Sequence, residues 1–261
     1  MCKFHYTLCY IINTKSSFVV FELRLKSMLK YFDNENFEKA YNIIKQPQPH
    51  PVLIHMLETG NIPERQAAAL KLDILTSKRE AEALLSNLTG QDGKIREAVS
   101  AKIKEFSYDN SLRLLFNPCA NVGKFLDAIV DINGNICRNI ICAVKNFKND
   151  KEFCNLFINE LVKRTFDLAN QVKDFKFEEG KYKINKEVFK LYWYLETIYE
   201  FFNLIKDEDL IKIIAITKNI EEYTIREKSA KILTNNLKND KLKEFKKELQ
   251  GDKNYYVRRY K

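Results

Sequence analysis

Glycine and proline are scarce in this chain: 7 and 5 of 261 residues, where average usage would give roughly 30 together. That shortage argues against glycine-rich phosphate loops, turn-dense all-β architectures and collagen-like segments. The six cysteines (Cys2, Cys9, Cys119, Cys137, Cys142 and Cys154) contain no Cys-x-x-Cys spacing. They read as reduced, mostly buried thiols in a cytoplasmic protein rather than a disulfide framework. Histidine is rarer still. Of His5, His50 and His55, the last two stand five apart and share no helix face for a zinc ion. The sequence therefore calls for no metal and no cofactor. No apolar run reaches the roughly 18 residues that a membrane span needs.

What is present points to a folded body. Hydrophobic residues make up 45% and charged residues 30%, too much apolar content for a disordered chain. The net charge of +9 suggests a nucleic-acid partner until it is located along the chain. Residues 1–27 hold four bases and one acid, and residues 238–261 hold nine bases and four acids, which leaves residues 28–237 within one charge of neutrality. The basicity sits at the ends.

Periodicity and caps read as helices almost throughout. Asn34 precedes a stripe of Phe37, Ala40, Tyr41 and Ile44, and the prolines of residues 47–51 end it. A short helix from Val52 to Glu58 stops at Gly60, and Pro63 suits the first turn of the next. Ser77 with Glu80 forms a capping box, Asp92 opens a helix to Phe106, and Asn149 with Glu152 and Asn219 with Glu222 repeat the start signal. Four segments follow: residues 1–27 as an N-terminal extension, 28–174 and 185–261 as two halves of a helical array, and 175–184 as an insertion between them. In the insertion, Phe175, Phe177, Tyr182 and Ile184 alternate with polar residues around Gly180. That pattern fits a β-hairpin, and an irregular loop is the other reading.

The second helix of several pairs carries an arginine near its start: Arg65, Arg96, Arg138, Arg226 and Arg258, at intervals of 31, 42, 88 and 32 residues. Four residues earlier stand Asn61, Asp92, Gly134, Glu222 and Asn254; Ala68, Ala69, Ala101, Ala143 and Ala230 follow where small side chains let helices approach. This pattern resembles the HEAT-like repeats of bacterial α-solenoids, whose second helix opens with Val-Arg and an alanine-rich run. Pro63–Glu64 and Cys137 depart from it. The resemblance implies an all-α, right-handed α-solenoid of about five or six HEAT-like helix pairs. It also implies an arginine ladder that ties each repeat to its neighbour; the alternative is a row of cations facing phosphates.

Functional expectations centre on the helix from Lys186 to Lys206. Trp193, Glu196 and Glu200 share a stripe off its core face, and Tyr194 and Phe201 also lie outside it. Together with Phe177 and Tyr182 of the insertion, Trp193, Tyr194, Glu196 and Glu200 form the candidate site for a protein or peptide partner. The plainer reading makes the aromatics the seal of a junction between two half-solenoids. No convergent catalytic set occurs, so the sequence reads as a non-enzymatic interaction scaffold. A nucleic-acid-binding solenoid is the alternative, in its most specific form resembling HEAT-like DNA glycosylases, although only Trp193 of their tryptophans is present.

Overall fold

Amphipathic helices joined by short polar turns bury their apolar stripes most simply by lying against the preceding helix and against the equivalent helix of the next pair. A computed structural model of the chain, describing residues 34–174, 176 and 185–260, shows this arrangement. Helices take up 72% of the described residues, with no strand among them. Helix α1 (Asn34–Lys45) precedes the pairs α2 (His50–Thr59) with α3 (Ile62–Lys71) and α4 (Lys78–Leu85) with α5 (Gly93–Ser107). After a short extra helix, α6 (Asn110–Leu115), come α7 (Val122–Ile129) with α8 (Gly134–Lys145) and α9 (Lys151–Val172) with α10 (Lys186–Phe201). The last pairs are α11 (Asp207–Thr217) with α12 (Tyr223–Ile232) and α13 (Asp240–Gln250) with α14 (Tyr255–Arg258). The expectations for residues 1–27 and for the 175–184 hairpin fall outside the described residues, save for the single position 176.

Two layers result. The second helices pack in series, α1 on α3, then α5, α8, α10, α12 and α14, while α7, α9, α11 and α13 stack behind them. The fold is an all-α solenoid. Its centre is a chain of phenylalanines: Phe125 lies 5.7 Å from Phe147, Phe147 5.2 Å from Phe153, Phe153 5.2 Å from Phe157 and Phe157 5.1 Å from Phe201. Burying each such ring contributes about 1.5–3 kcal/mol. This continuous apolar seam crosses from α7 through α9 to α10.

Small and polar side chains set the helix spacing. Ala67, Ala68, Ala69 and Ala143 are fully buried, and Ala230 nearly so. Ala101 is not among them: it is exposed, and the neighbouring Ser100 occupies the buried position. The reason is a polar seam between α5 and α8. Glu97 accepts from the Asn133 and Asn135 side chains at 3.0 and 2.8 Å, Asn139 donates to Ser100 Oγ at 3.2 Å, and Asn146 donates to Ser107 Oγ at 2.8 Å. Residue numbers rise together on both sides, so the two helices run parallel. That seam turns Ser100 inward and Ala101 out.

Side-chain caps open every second helix. Asn61, Asp92, Asn133, Asn185, Glu222 and Asn254 each accept from a backbone N–H of the first turn, typically worth about 1 kcal/mol per cap. Two expected starts move. Asp150, not Asn149, caps α9 through Phe153 N at 3.0 Å. Asn219 instead donates to the Ala215 carbonyl at 2.9 Å, closing α11, and leaves Glu222 to open α12.

Candidate binding face

The cap positions define a register for the arginines. Four residues after caps Asn61, Asp92, Glu222 and Asn254 stand Arg65, Arg96, Arg226 and Arg258. Each of the four guanidiniums bonds one or two backbone carbonyls just before its own helix, in the turn or at the end of the preceding helix. Arg65 reaches Gly60 O at 2.6 Å and Glu58 O at 3.1 Å, and Arg226 reaches Ile220 O and Glu221 O at 2.7 and 2.6 Å. Arg258 bonds Asp252 O and Lys253 O, and Arg96 bonds Gln91 O.

Three of them also reach the next repeat. Arg65 bonds Asn87 Oδ1 at 2.8 Å, Arg96 forks onto Asp131 at 2.6 and 3.1 Å, and Arg226 forks onto Asp252 at 2.7 and 3.3 Å. Both aspartates stand two residues before the next cap, in Asp131-Ile132-Asn133 and Asp252-Lys253-Asn254. Each also accepts the backbone N–H of that cap residue, at 2.8 and 2.7 Å. Burial raises the Asp252 pKa, but the Arg226 hydrogen bonds and the Asn254 N–H outweigh it and leave the carboxyl below its usual range. The Asp131 hydrogen bond raises Arg96 despite the opposing effect of burial.

Arg138 stands apart. Its cap is Asn133, five residues back, so the ladder position of α8 belongs to Cys137. The Cys137 sulfur lies 3.0 Å from Asp131 O and 3.4 Å from Asn133 O, filling the carbonyl cradle that an arginine takes in the other repeats. Burial pushes this thiol up to about 12, so it stays a donor. Arg138 is thereby turned outward: it bonds Asn135 Oδ1 at 2.9 Å and its guanidinium lies 5.8 Å from the Trp193 ring. In α10, capped by Asn185, the ladder position is Phe189. Phe189 and Tyr192 meet Trp193 edge-on at 6.2 and 5.3 Å. Gly134 allows this packing, since a Cβ there would lie 3.2 Å from Trp193 Cζ2.

The sequence-derived site separates into two depths. Trp193 is only 6% exposed and Tyr194 is likewise buried, its ring reaching across α9 toward Arg164 and the Leu126 carbonyl. Glu196 and Glu200 lie nearer the surface and are both engaged. Glu196 takes Lys228 and Lys231 of α12 at 2.7 Å each. Glu200 takes Lys145 of α8 at 2.6 Å, and Lys148 donates to its carbonyl. Phe177 and Tyr182 fall outside the described residues.

Two tyrosines absent from the expectation complete the arrangement. Lys228 Nζ sits 4.3 Å from the Tyr192 ring centre and Lys231 Nζ 4.2 Å from that of Tyr199. The order across the joint is Tyr192, Lys228, Glu196, Lys231, Tyr199. Burial pushes the Glu196 pKa up and that of Lys228 down, but their mutual hydrogen bond, with Lys231 adding to the first, reverses both shifts. Tyr192 and Tyr199 were readable as the flanks of Glu196, at i−4 and i+3; the lysines at i and i+3 on α12 needed the fold to bring them there.

No family model matches the sequence, and no curated protein matches it either. Among solved structures, two similar chains are a designed armadillo repeat protein, YIII(Dq)4CqI, and a computationally designed armadillo repeat protein for modular peptide recognition. Each is 14% identical, with 81% of this chain and 96% of the other covered, at TM-scores of 0.42 and 0.44. Among the described residues no helix is long and apolar enough to cross a membrane, and no group of His, Cys, Asp or Glu is placed to hold a metal ion.

Proposed function

We propose that the chain is a HEAT-like repeat scaffold rather than an enzyme, and that it holds an extended protein segment along the layer of second helices at α8, α10 and α12. The row Tyr192, Lys228, Glu196, Lys231 and Tyr199, half-buried except for the buried Lys228 and flanked by Arg138, Lys145 and Glu200, supports this reading. Such a face suits recognition because its charges are already ordered by one another, so binding freezes few rotors. Tyrosine and arginine are also the side chains in which binding energy concentrates. Trp193 and Tyr194 lie beneath this face as its support, and Glu196 and Glu200 are its acidic contacts.

The test is recovery of a partner from the native host with the full chain and with the double variant Tyr192→Ala, Tyr199→Ala. Calorimetry with the purified partner follows. Loss of tenfold or more in affinity is expected, measured at a temperature where both forms remain folded, since truncating two partly buried rings also lowers the melting temperature. A partner bound equally by both forms would move the binding surface elsewhere.

A further inference from the structure

We propose that a second surface, the tyrosine–arginine patch where α12 and α14 begin, binds single-stranded nucleic acid. Tyr223 opens α12, and Tyr255 and Tyr256 open α14; they are 39%, 61% and 51% exposed. The three rings are contiguous, Tyr256 lying 6.1 Å from Tyr223 and 5.7 Å from Tyr255. One turn on, Arg258 lies 5.8 Å from the Tyr255 ring and Arg259 5.4 Å from that of Tyr256. Aromatic rings and guanidiniums therefore alternate across one exposed edge. Large side chains gathered in one exposed place mark an interaction site more often than scattered ones do.

The charges around the patch select the ligand. Asp252 is taken up by Arg226, and Glu227 by Arg259 and Tyr260. Glu222 caps α12 by accepting from Thr224; Glu221, exposed beside it, is the acid that stays outside these pairs. Arg258 donates to the carbonyls of Asp252 and Lys253, and among the described residues its charge meets no carboxylate. Lys253 lies in the same turn, within a segment of nine bases and four acids over residues 238–261. Unstacked bases offer flat faces to exposed tyrosines while their phosphates reach the adjacent cations. A duplex hides its bases and would leave the tyrosines without partners. An acidic peptide would satisfy Arg258 and Lys253 but bring no flat groups to three rings. This proposal uses residues separate from the α8–α10–α12 face and stands or falls independently of it.

The experiment is fluorescence anisotropy of the full chain with labelled oligothymidylate and oligouridylate of about fifteen nucleotides, beside a labelled acidic peptide and a duplex. Expected are binding of both single strands over the duplex and the peptide, and steep weakening with salt. Tyr255→Ala and Tyr256→Ala should each weaken binding about tenfold, while Tyr255→Phe, which keeps the ring, should bind as the parent does. Arg258→Ala should lower the salt slope by about 0.7. Unchanged melting temperatures would show that the exposed substitutions leave the fold intact. The proposal is overturned if the oligonucleotides fail to bind, if they bind no better than the peptide or the duplex, or if Tyr255→Ala and Tyr256→Ala bind as well as the parent.

Discussion

Two kinds of joint hold this solenoid together. From α5 to α8, and again from α12 to α14, an arginine at the ladder position forks onto an aspartate two residues before the next cap. From α8 to α10 the ladder is interrupted: Cys137 and Phe189 hold the arginine positions, and Trp193 packs against Gly134 under the Arg138 guanidinium. The first joint is polar, directional and repeatable. The second is aromatic, particular to one place, and needs a glycine opposite. Where the repeat gives up its ladder it gains a large buried ring, and Tyr192, at one end of the proposed binding row, meets that ring edge-on.

The sharpest way to break this contrast is to remove the ring. Trp193→Ala deletes a buried side chain whose neighbours are held by their own helices, so the site cannot collapse fully; a cost of about 3–5 kcal/mol is expected. Arg138→Ala at the same joint removes an exposed stack and one exposed hydrogen bond to Asn135 and should cost less than about 1 kcal/mol. Urea unfolding of both variants checks the pair. Equal effects would mean that the guanidinium matters to the joint as much as the indole does.

At the ladder joint the polar partner should dominate. Asp252→Ala leaves the Arg226 guanidinium, 9% exposed, without its carboxylate. The expected loss is about 3 kcal/mol, as for a buried pair broken on one side. Carbonyls of Ile220 and Glu221 still receive Arg226, which keeps the figure at the lower end. A loss under about 0.5 kcal/mol would show that those carbonyls alone suffice.

The same aspartate gives the ladder a pH signature. Its carboxyl is held below its ordinary value in the folded chain, because the Arg226 hydrogen bonds and the Asn254 N–H outweigh burial. The folded state therefore binds fewer protons than the unfolded one through that range. Its contribution is complete above the unfolded value of about 3.9 and is lost as pH falls through the lower folded value. Melting temperatures from pH 5 down to about 2 should fall more steeply for the parent than for Asp252→Asn. Parallel curves would remove the linkage.

Much of this architecture is legible in the chain because local signals repeat: caps, apolar stripes, and an arginine four residues after a cap. Those signals give about five or six helix pairs with little help from long-range contacts, and the described residues hold six. The register failed at Arg138, where Gly134 stands at the expected cap position and the true cap, Asn133, is one residue earlier. Motif spacing alone could not reveal that a cysteine had taken the arginine's cradle. The aspartate partners were readable in principle, since Asp-x-Asn precedes both α8 and α14, but an acceptor is recognised only once its donor is known to face it. The row around Glu196 was hidden for another reason. Its lysines lie 32 and 35 residues away on a different helix, and no local pattern joins them.

The smallest effect decides the register of α5. An alanine-rich second helix suggests that Ala101 faces the neighbouring repeat, where Ala101→Leu would overpack the joint by about 1–3 kcal/mol. The structure instead exposes Ala101 and buries Ser100, whose hydroxyl accepts from Asn139 and donates to the Glu97 carbonyl. Leucine and alanine differ little in helix propensity, so Ala101→Leu should change stability by less than about 0.5 kcal/mol. Ser100→Leu should bear the overpacking cost and strand the Asn139 amide as well, for a loss of about 2 kcal/mol or more. Chemical denaturation of the two variants distinguishes the registers by their order alone. If Ala101→Leu proves the more damaging, α5 is rotated by one residue and the Glu97, Ser100 and Ser107 seam with α8 is misassigned.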